Sequence, residues 1–338
     1  VRLQPIQSQQ EGDGEAMENN FWDIAFSDLL IAGEKISGKG EDAYLNFASE
    51  NGGIFGVFDG CGGLGARQYT ELGGWTGAYT ASRAVAYGLF DWFQDACLAE
   101  NWWEQAAEQA GRSAADALGR CKGLVRTKSM LMGGMQKEFP TTAVIGLLYW
   151  LSEKRQMGAD FLWAGDSRGY VLDRSGLCQI TRDDAEGQNA MSEIYSDGAL
   201  TNVMSASAPF TLHERHLTLS APAIVFAATD GCFGYLGSPM EFEYCLLDTM
   251  MRAQTVEQWE KALGEVFDGT AGDDYTLSGQ LLGFRDFSAC RQYYKGRYQY
   301  LQREFMLPLR NGGREERYRL WELYRPGYEK YITESRQP

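Results

Sequence analysis

Histidine is the scarcest reactive residue in this 338-residue chain, with only His213 and His216 present. A histidine-rich metal site or a Ser-His-Asp triad therefore has almost nothing to be built from, and with no third nitrogen or sulfur donor suitably spaced the two are expected to be surface or hydrogen-bonded residues. The seven cysteines, at 61, 97, 121, 178, 232, 245 and 290, are odd in number and contain no Cys-x-x-Cys pair. That excludes a disulfide framework and a zinc ribbon, and implies a reducing, cytoplasmic compartment. Long apolar runs are also missing. The stretch from Ala143 to Leu151 falls far below the roughly 18 residues that span a bilayer, so a soluble protein is expected. Basic residues are in deficit, 31 against 46 acidic, for a net charge of −15. The resulting field repels nucleic-acid backbones and anionic membranes, so neither is expected as a partner. What the chain does have is carboxylates, and its chemistry must lean on them.

The 44% hydrophobic and 23% charged composition is globular, and at this length roughly three quarters of the unfolded surface is buried on folding. Residues 1–20 are polar and without periodicity and read as a flexible tail. Strand patterns follow at Ala43 to Phe47 and Gly53 to Phe58, the second closed by Asp59-Gly60. Helical spacing runs from about Arg67 to Phe93 and from Trp102 to Leu124. Short strands recur at Thr141 to Trp150, Phe161 to Gly165, Gly169 to Leu172 and Leu177 to Thr181. A polar stretch, about 182–214, is long enough to be a functional loop. Strands at Leu217 to Leu219 and Ala223 to Ala228, a helix near Val256 to Phe267 and a strand from Tyr275 to Phe284 complete a domain over 21–284. Strands in runs and helices in runs predict an α+β layered fold rather than βαβ alternation. Residues 285–338 form an Arg/Tyr-rich extension with 12 basic against 7 acidic side chains, whereas residues 1–284 carry 19 against 39. In that extension Tyr294, Tyr298, Leu301 and Phe305 share one helical face, for packing on the core or for docking a partner.

Gly60-x-Gly62-x-x-Gly65 mimics a dinucleotide-binding turn, but Asp59 stands where a pyrophosphate would approach and no second strand ends in an acid about 20 residues later. Acids at strand ends carry more weight. Glu41-Asp42 precedes one strand, Asp59-Gly60 and Asp230-Gly231 follow others, Asp166 lies in Ala-Gly-Asp-Ser-Arg, and Asp273-Asp274 precedes the last. Any one could be a hairpin turn. Asp59 and Asp230, however, end runs that read as buried central strands, where unpaired charge is costly. A hard divalent cation with an all-oxygen shell would satisfy them, and two sharing a carboxylate would activate a water for phosphate-ester hydrolysis.

In order along the chain, Gly-Glu-Asp42-Ala, Val-Phe-Asp59-Gly-Cys-Gly-Gly, Thr141-Thr-Ala, Ala-Gly-Asp166-Ser-Arg-Gly-Tyr, Thr-Asp230-Gly and Gly-Asp273-Asp-Tyr-Thr resemble the motifs of metal-dependent serine/threonine protein phosphatases of the PPM, or protein phosphatase 2C, family in its bacterial type. The resemblance covers about residues 28–284. It implies a central antiparallel β-sandwich flanked by pairs of helices, a four-layer αββα arrangement, with two Mn²⁺ or Mg²⁺ ions at one end and a phosphoprotein as substrate. Asp59 would bridge both ions, with the Gly60 carbonyl on one and Asp230 and Asp273 on the other. Glu41 and Asp42 would act mainly through metal-bound waters, and Asp166 would share a third ion with Asp230. The 182–214 stretch falls where the family has its flap.

The chain departs from the family at three places. Ser37 stands where a phosphate-binding arginine is frequent. Lys35 or Lys39, on the same face of an extended segment, could supply the charge, or both could simply be solvated. Cys61 replaces a histidine proposed as the leaving-group acid, and is either a small buried filler or a redox-sensitive thiol. Gly234 replaces an acid that supports the third ion, which is therefore expected to be weak or absent. These losses leave open a catalytically weak phosphatase-fold module that uses residues 285–338 for docking, and, more remotely, a structural calcium site.

Overall fold

The computed structural model describes residues 24–125, 137–151, 156–186, 190–193 and 198–334. The tail at 1–20 and part of the 182–214 stretch lie outside the described residues.

The chain opens with β1 (Ala25–Gly33), β2 (Ala43–Ser49) and β3 (Gly52–Phe58). The short helix α1 (Gly62–Gly65) and a small hairpin of β4 (Gln68–Tyr69) and β5 (Trp75–Thr76) lead into the long helices α2 (Gly77–Ala96) and α3 (Ala106–Leu124). The meander follows as β6 (Ala143–Leu151), β7 (Gln156–Ala164), β8 (Arg168–Asp173) and β9 (Gly176–Gln179). After α4 (Ala190–Glu193) come β10 (His213–Leu219), β11 (Ala223–Ala228) and the one-turn α5 (Asp230–Phe233). Helices α6 (Pro239–Arg252) and α7 (Val256–Thr270) precede the last strand, β12 (Tyr275–Leu282). The extension is helical: α8 (Phe287–Leu301), a wide π turn, α9 (Leu307–Asn311), α10 (Arg314–Tyr328) and α11 (Lys330–Glu334).

Among the described residues the strands form two five-stranded antiparallel sheets, ordered β1-β12-β11-β8-β9 and β10-β7-β6-β3-β2. Their facing surfaces enclose Phe55, Val57, Val144, Phe161, Val171 and Val225. Strands buried on both faces read as continuous apolar runs, and β3 and β11 have no exposed position. Helices α2 and α3 cover the outer face of the second sheet through Val85, Leu89, Phe93, Ala110 and Leu118. Helices α6, α7 and α8 cover the first through Leu246, Leu247, Trp259, Leu263 and Tyr294. The order helix, sheet, sheet, helix is the α+β sandwich expected.

Several local expectations need correction. Residues 68–76 are a hairpin rather than the start of a helix, because Gly73 and Gly74 both sit at positive φ and the helix begins only where the Thr76 hydroxyl accepts from the Tyr79 amide. Three strands, not two, precede any helix; β1 was missed because its buried and half-buried positions do not alternate cleanly. Helix α6 was also missed, although Ser238 caps it and Pro239 opens it. His213 begins β10 instead of closing a loop.

The extension is built into the first sheet's outer core. Tyr294, Leu301, Phe305, Trp321, Tyr324 and Tyr328 are buried there, with Tyr298 packed beside them. The Tyr294 hydroxyl donates to the Leu172 carbonyl at 2.7 Å, and Arg297 makes a two-pronged ion pair with Glu243 on α6, both contacts 2.7 Å.

Candidate metal centre

The strand register decides where the acids lie. Ala43 pairs with Phe58, so Asp42 and Asp59 follow one another across the β2 and β3 ends. Ala228 pairs with both Arg168 and Leu277, which brings Asp230, the Asp166 turn and the Asp273-Asp274 doublet to the corresponding end of the other sheet. Two side-chain contacts join the sheets there: the Thr229 hydroxyl donates to Asp42 Oδ2 at 2.9 Å, and the Thr142 and Ser167 hydroxyls lie 2.7 Å apart.

Asp59 is the centre of this edge. Burial first, and then the like charges of Asp42, Asp230, Asp166 and Asp273, push its carboxyl well above the ordinary range. Burial likewise pushes Asp42 up to about 8 against the hydroxyls of Thr229 and Thr276, with Asp230 and Asp274 adding repulsion. Asp166 is pushed up to about 7 by burial, Asp230 and Asp183. Glu41 is also raised, by burial opposed by the Thr76 hydroxyl that donates to its carboxylate. Among the described residues, no group of three or more His, Cys, Asp or Glu side chains is placed closely enough to hold a metal ion. Asp59 is within electrostatic reach of Asp42, Asp230, Asp166 and Asp273.

The donor chemistry fits a hard cation. Half-buried carboxylates that mutually raise their pKa values favour a nearby positive charge, and oxygen-only donors suit Mg²⁺ or Mn²⁺. Gly60, directly after Asp59, lies in a tight main-chain approach: a Cβ there would come within 2.8 Å of the Ala78 and Glu41 carbonyl oxygens, which excludes a side chain. Asp273 is exposed on its loop, and its Oδ1 accepts the amide of Asp274 at 2.8 Å.

Asp274 was not singled out by sequence, yet it ties two loops together. Its Oδ1 accepts the Lys35 amide at 2.8 Å and its Oδ2 the Glu41 amide at 2.7 Å. Its place in the Asp273-Asp274 doublet was the available signal. Gly231 packs directly over it, because a Cβ would lie 1.9 Å from the Asp274 carbonyl oxygen. Arg83 on α2 was also missed: its guanidinium donates to the Gly40 carbonyl at 2.9 Å and lies over the Tyr79 ring at 3.6 Å. The segment bearing the two lysines is a turn, not extended, since the Lys39 amide donates to the Ile36 carbonyl at 2.9 Å and Gly38 sits at positive φ; both lysines are exposed, and the Lys35 ammonium donates to the Ala271 carbonyl at 3.0 Å.

Cys61 follows the Asp59-Gly60 turn, and burial together with Asp59 and Asp166 pushes its thiol well above the ordinary range, which disfavours a thiolate. Both histidines are hydrogen-bonded to carboxylates, His213 to Asp184 at 2.9 Å and His216 to Asp160 at 2.7 Å. Asp184 also receives the Gly165 amide and the Asn202 side chain, and Asp183 is clamped by the buried Arg168. The chain leaving β9 is thereby tied to the Asp166 turn.

No known protein-family profile matches the sequence, and no curated protein sequence matches it. Solved structures do resemble the fold. The serine/threonine phosphatase Stp1 from Staphylococcus aureus is 18% identical, with a TM-score of 0.56 over 82% of this chain and 99% of that one. The PPM Ser-Thr phosphatase MsPP from Mycobacterium smegmatis, solved with cacodylate, is 13% identical with a TM-score of 0.52 over 77% of this chain and 99% of that one. The catalytic domain of the serine threonine protein phosphatase PstP, solved with two manganese ions, is 16% identical with a TM-score of 0.52 over 77% of this chain and all of that one. On these likenesses, and on its two packed antiparallel sheets between helical layers, the chain has the fold of the bacterial PPM-type serine/threonine phosphatases.

Proposed function

We propose that this chain hydrolyses phosphoserine and phosphothreonine in proteins with the aid of two Mn²⁺ or Mg²⁺ ions. The observation that carries the reading is the strand register that brings Asp42, Asp59, Asp166, Asp230 and Asp273 to one end of the sandwich, with Asp59 within electrostatic reach of the other four. Asp59 would bridge the ions, with the Gly60 carbonyl on one side and Asp230 and Asp273 on the other, and Glu41 and Asp42 acting through ordered water. Such ions supply charge neutralisation for the phosphoryl group and a hydrolytic nucleophile near neutral pH. The protein's own work is positioning: Thr229 orients Asp42, Asp274 holds the loops bearing Lys35 and Glu41, and the Asp184 contacts join the flap to the Asp166 turn. Lys35 is the better candidate than Lys39 for meeting a substrate phosphate, because its ammonium already lies beside the Asp273 loop. Gly234 leaves a third ion without the acid that would support it.

Seven free cysteines support a cytoplasmic setting, and no helix among the described residues is long and apolar enough to cross a membrane. The alternative of a docking module that works through residues 285–338 is less favoured, because the aromatic face of that extension is spent on the molecule's own core. A phosphothreonine peptide assayed with Mn²⁺ tests the enzyme: the wild type should turn over and Asp59→Asn should lose at least about a hundredfold in kcat. Turnover without metal, or none with any divalent ion, refutes the reading.

A further inference from the structure

Most large apolar side chains of the fold are buried, but three that are not stand around the carboxylate edge. Ile36 is 59% exposed, Trp75 42% and Tyr235 49%. Each belongs to a segment that holds the site. Ile36 lies in the loop between Lys35, whose amide is bound by Asp274, and Glu41. Trp75 precedes Thr76, whose hydroxyl donates to Glu41. Tyr235 follows the α5 turn begun by Asp230, and its ring fills the space over Gly272, next to Asp273.

The Trp75 part of this rim is held in place by ring stacking. The Trp75 and Tyr79 rings stack with centroids 4.1 Å apart and planes 12° from parallel, and Arg83 covers Tyr79 while bonding the Gly40 carbonyl. Pre-set aromatic side chains lose little freedom when they bind, and stacking Trp and Tyr are efficient contact groups. A small phosphate ester would reach the carboxylates without touching them. A phosphorylated segment of polypeptide would have to lay its neighbouring residues across them.

We propose that these three side chains form a substrate-selecting rim that takes an extended phosphopeptide with apolar or aromatic residues flanking the phosphorylated one, and basic residues further out. The basic preference follows from charge complementarity, since residues 1–284 carry 39 acidic against 19 basic side chains. The inference rests on the phosphatase reading for the location of the phosphate.

The experiment compares two phosphothreonine peptides with Mn²⁺, one flanked by Leu and Phe with Lys beyond, the other flanked by Gly and Ser with Glu beyond. Wild type should favour the first by about tenfold or more in kcat/KM, and Trp75→Ala and Tyr235→Ala should each reduce that ratio at least threefold. A wild-type ratio near one, or a ratio unmoved in both variants, overturns the rim. In parallel, anisotropy titration of both labelled peptides against Asp59→Asn reads binding without turnover. If neither peptide is hydrolysed by wild type with Mn²⁺ or any other divalent ion, the phosphatase reading fails, and the rim then stands or falls on this arm: equal affinity for the two peptides overturns it, and tighter binding of the first supports it.

Discussion

The ion pair between Arg297 and Glu243 gives the most direct test of how the extension is held. Glu243 has no exposed side-chain surface and Arg297 only 14%. The guanidinium makes two 2.7 Å contacts, and the Tyr324 hydroxyl donates to the same carboxylate at 2.6 Å. Arg297→Met removes the cation but keeps most of the volume, leaving a fully buried carboxylate with one neutral donor. Breaking such a pair costs about 3–5 kcal/mol, because the remaining charge has lost its counter-charge and cannot reach water. That is a large share of a typical total stability of about 5–15 kcal/mol. Replacing both partners in Glu243→Gln/Arg297→Met removes the charge while the new amide oxygen still accepts from Tyr324. The residual loss should then be near that of ordinary hydrogen bonds, about 1–2 kcal/mol. Urea unfolding followed by Trp fluorescence should thus place the double variant closer to wild type than the single one. A single variant less than about 1 kcal/mol below wild type, or a double variant no better than the single, would refute the reasoning.

Three further outcomes follow from the same geometry. Gly231→Ala sets a Cβ 1.9 Å from the Asp274 carbonyl and must displace the Asp273-Asp274 loop; it should cost about 1–3 kcal/mol and weaken Mn²⁺ binding by calorimetry. Thr229→Val removes the donor to Asp42 and the acceptor of the Thr276 amide, both at 2.9 Å, and thermal unfolding should show a loss of about 1–3 kcal/mol. His216 has a raised pKa because Asp160 accepts from its ring, opposed in part by burial, with Glu214 adding to the rise. Its folded pKa lies above the unfolded one, so its stabilisation is complete below the ordinary histidine value of about 6.5 and lost as pH rises through the raised value. The Tm difference between wild type and His216→Gln should therefore be largest near pH 6 and shrink toward pH 9; a difference that grows with pH would contradict this.

Much of the sandwich was legible because its strands are apolar throughout or closed by Asp-Gly. Phe58-Asp59-Gly60 and Ala228-Thr229-Asp230 mark a buried strand's end by an abrupt change from apolar to acidic residues, a signal that is local in sequence. Strand β1 and the 68–76 hairpin were not legible, since an uneven pattern in the one and small residues at helical spacing in the other are resolved only by pairing with β12 and by the turn at Gly73-Gly74.

The sequence by itself determined which residue types could do chemistry here: with two histidines and no cysteine pair, only carboxylates at strand ends were available. Which of them come within electrostatic reach of one another was decided by tertiary structure, because Asp42, Asp59, Asp166, Asp230 and Asp273 are separated by up to about 230 positions and are brought to one end only by the register of two packed sheets. The same is true of Asp274 and Arg83, whose partners are backbone groups of a distant loop, and of the extension, whose tyrosines and Arg297 find Leu172 and Glu243 only once the first sheet exists. Residue type is fixed by the chain, but the mutual repulsion that makes a set of acids suited to a cation arises only at the distances that packing imposes.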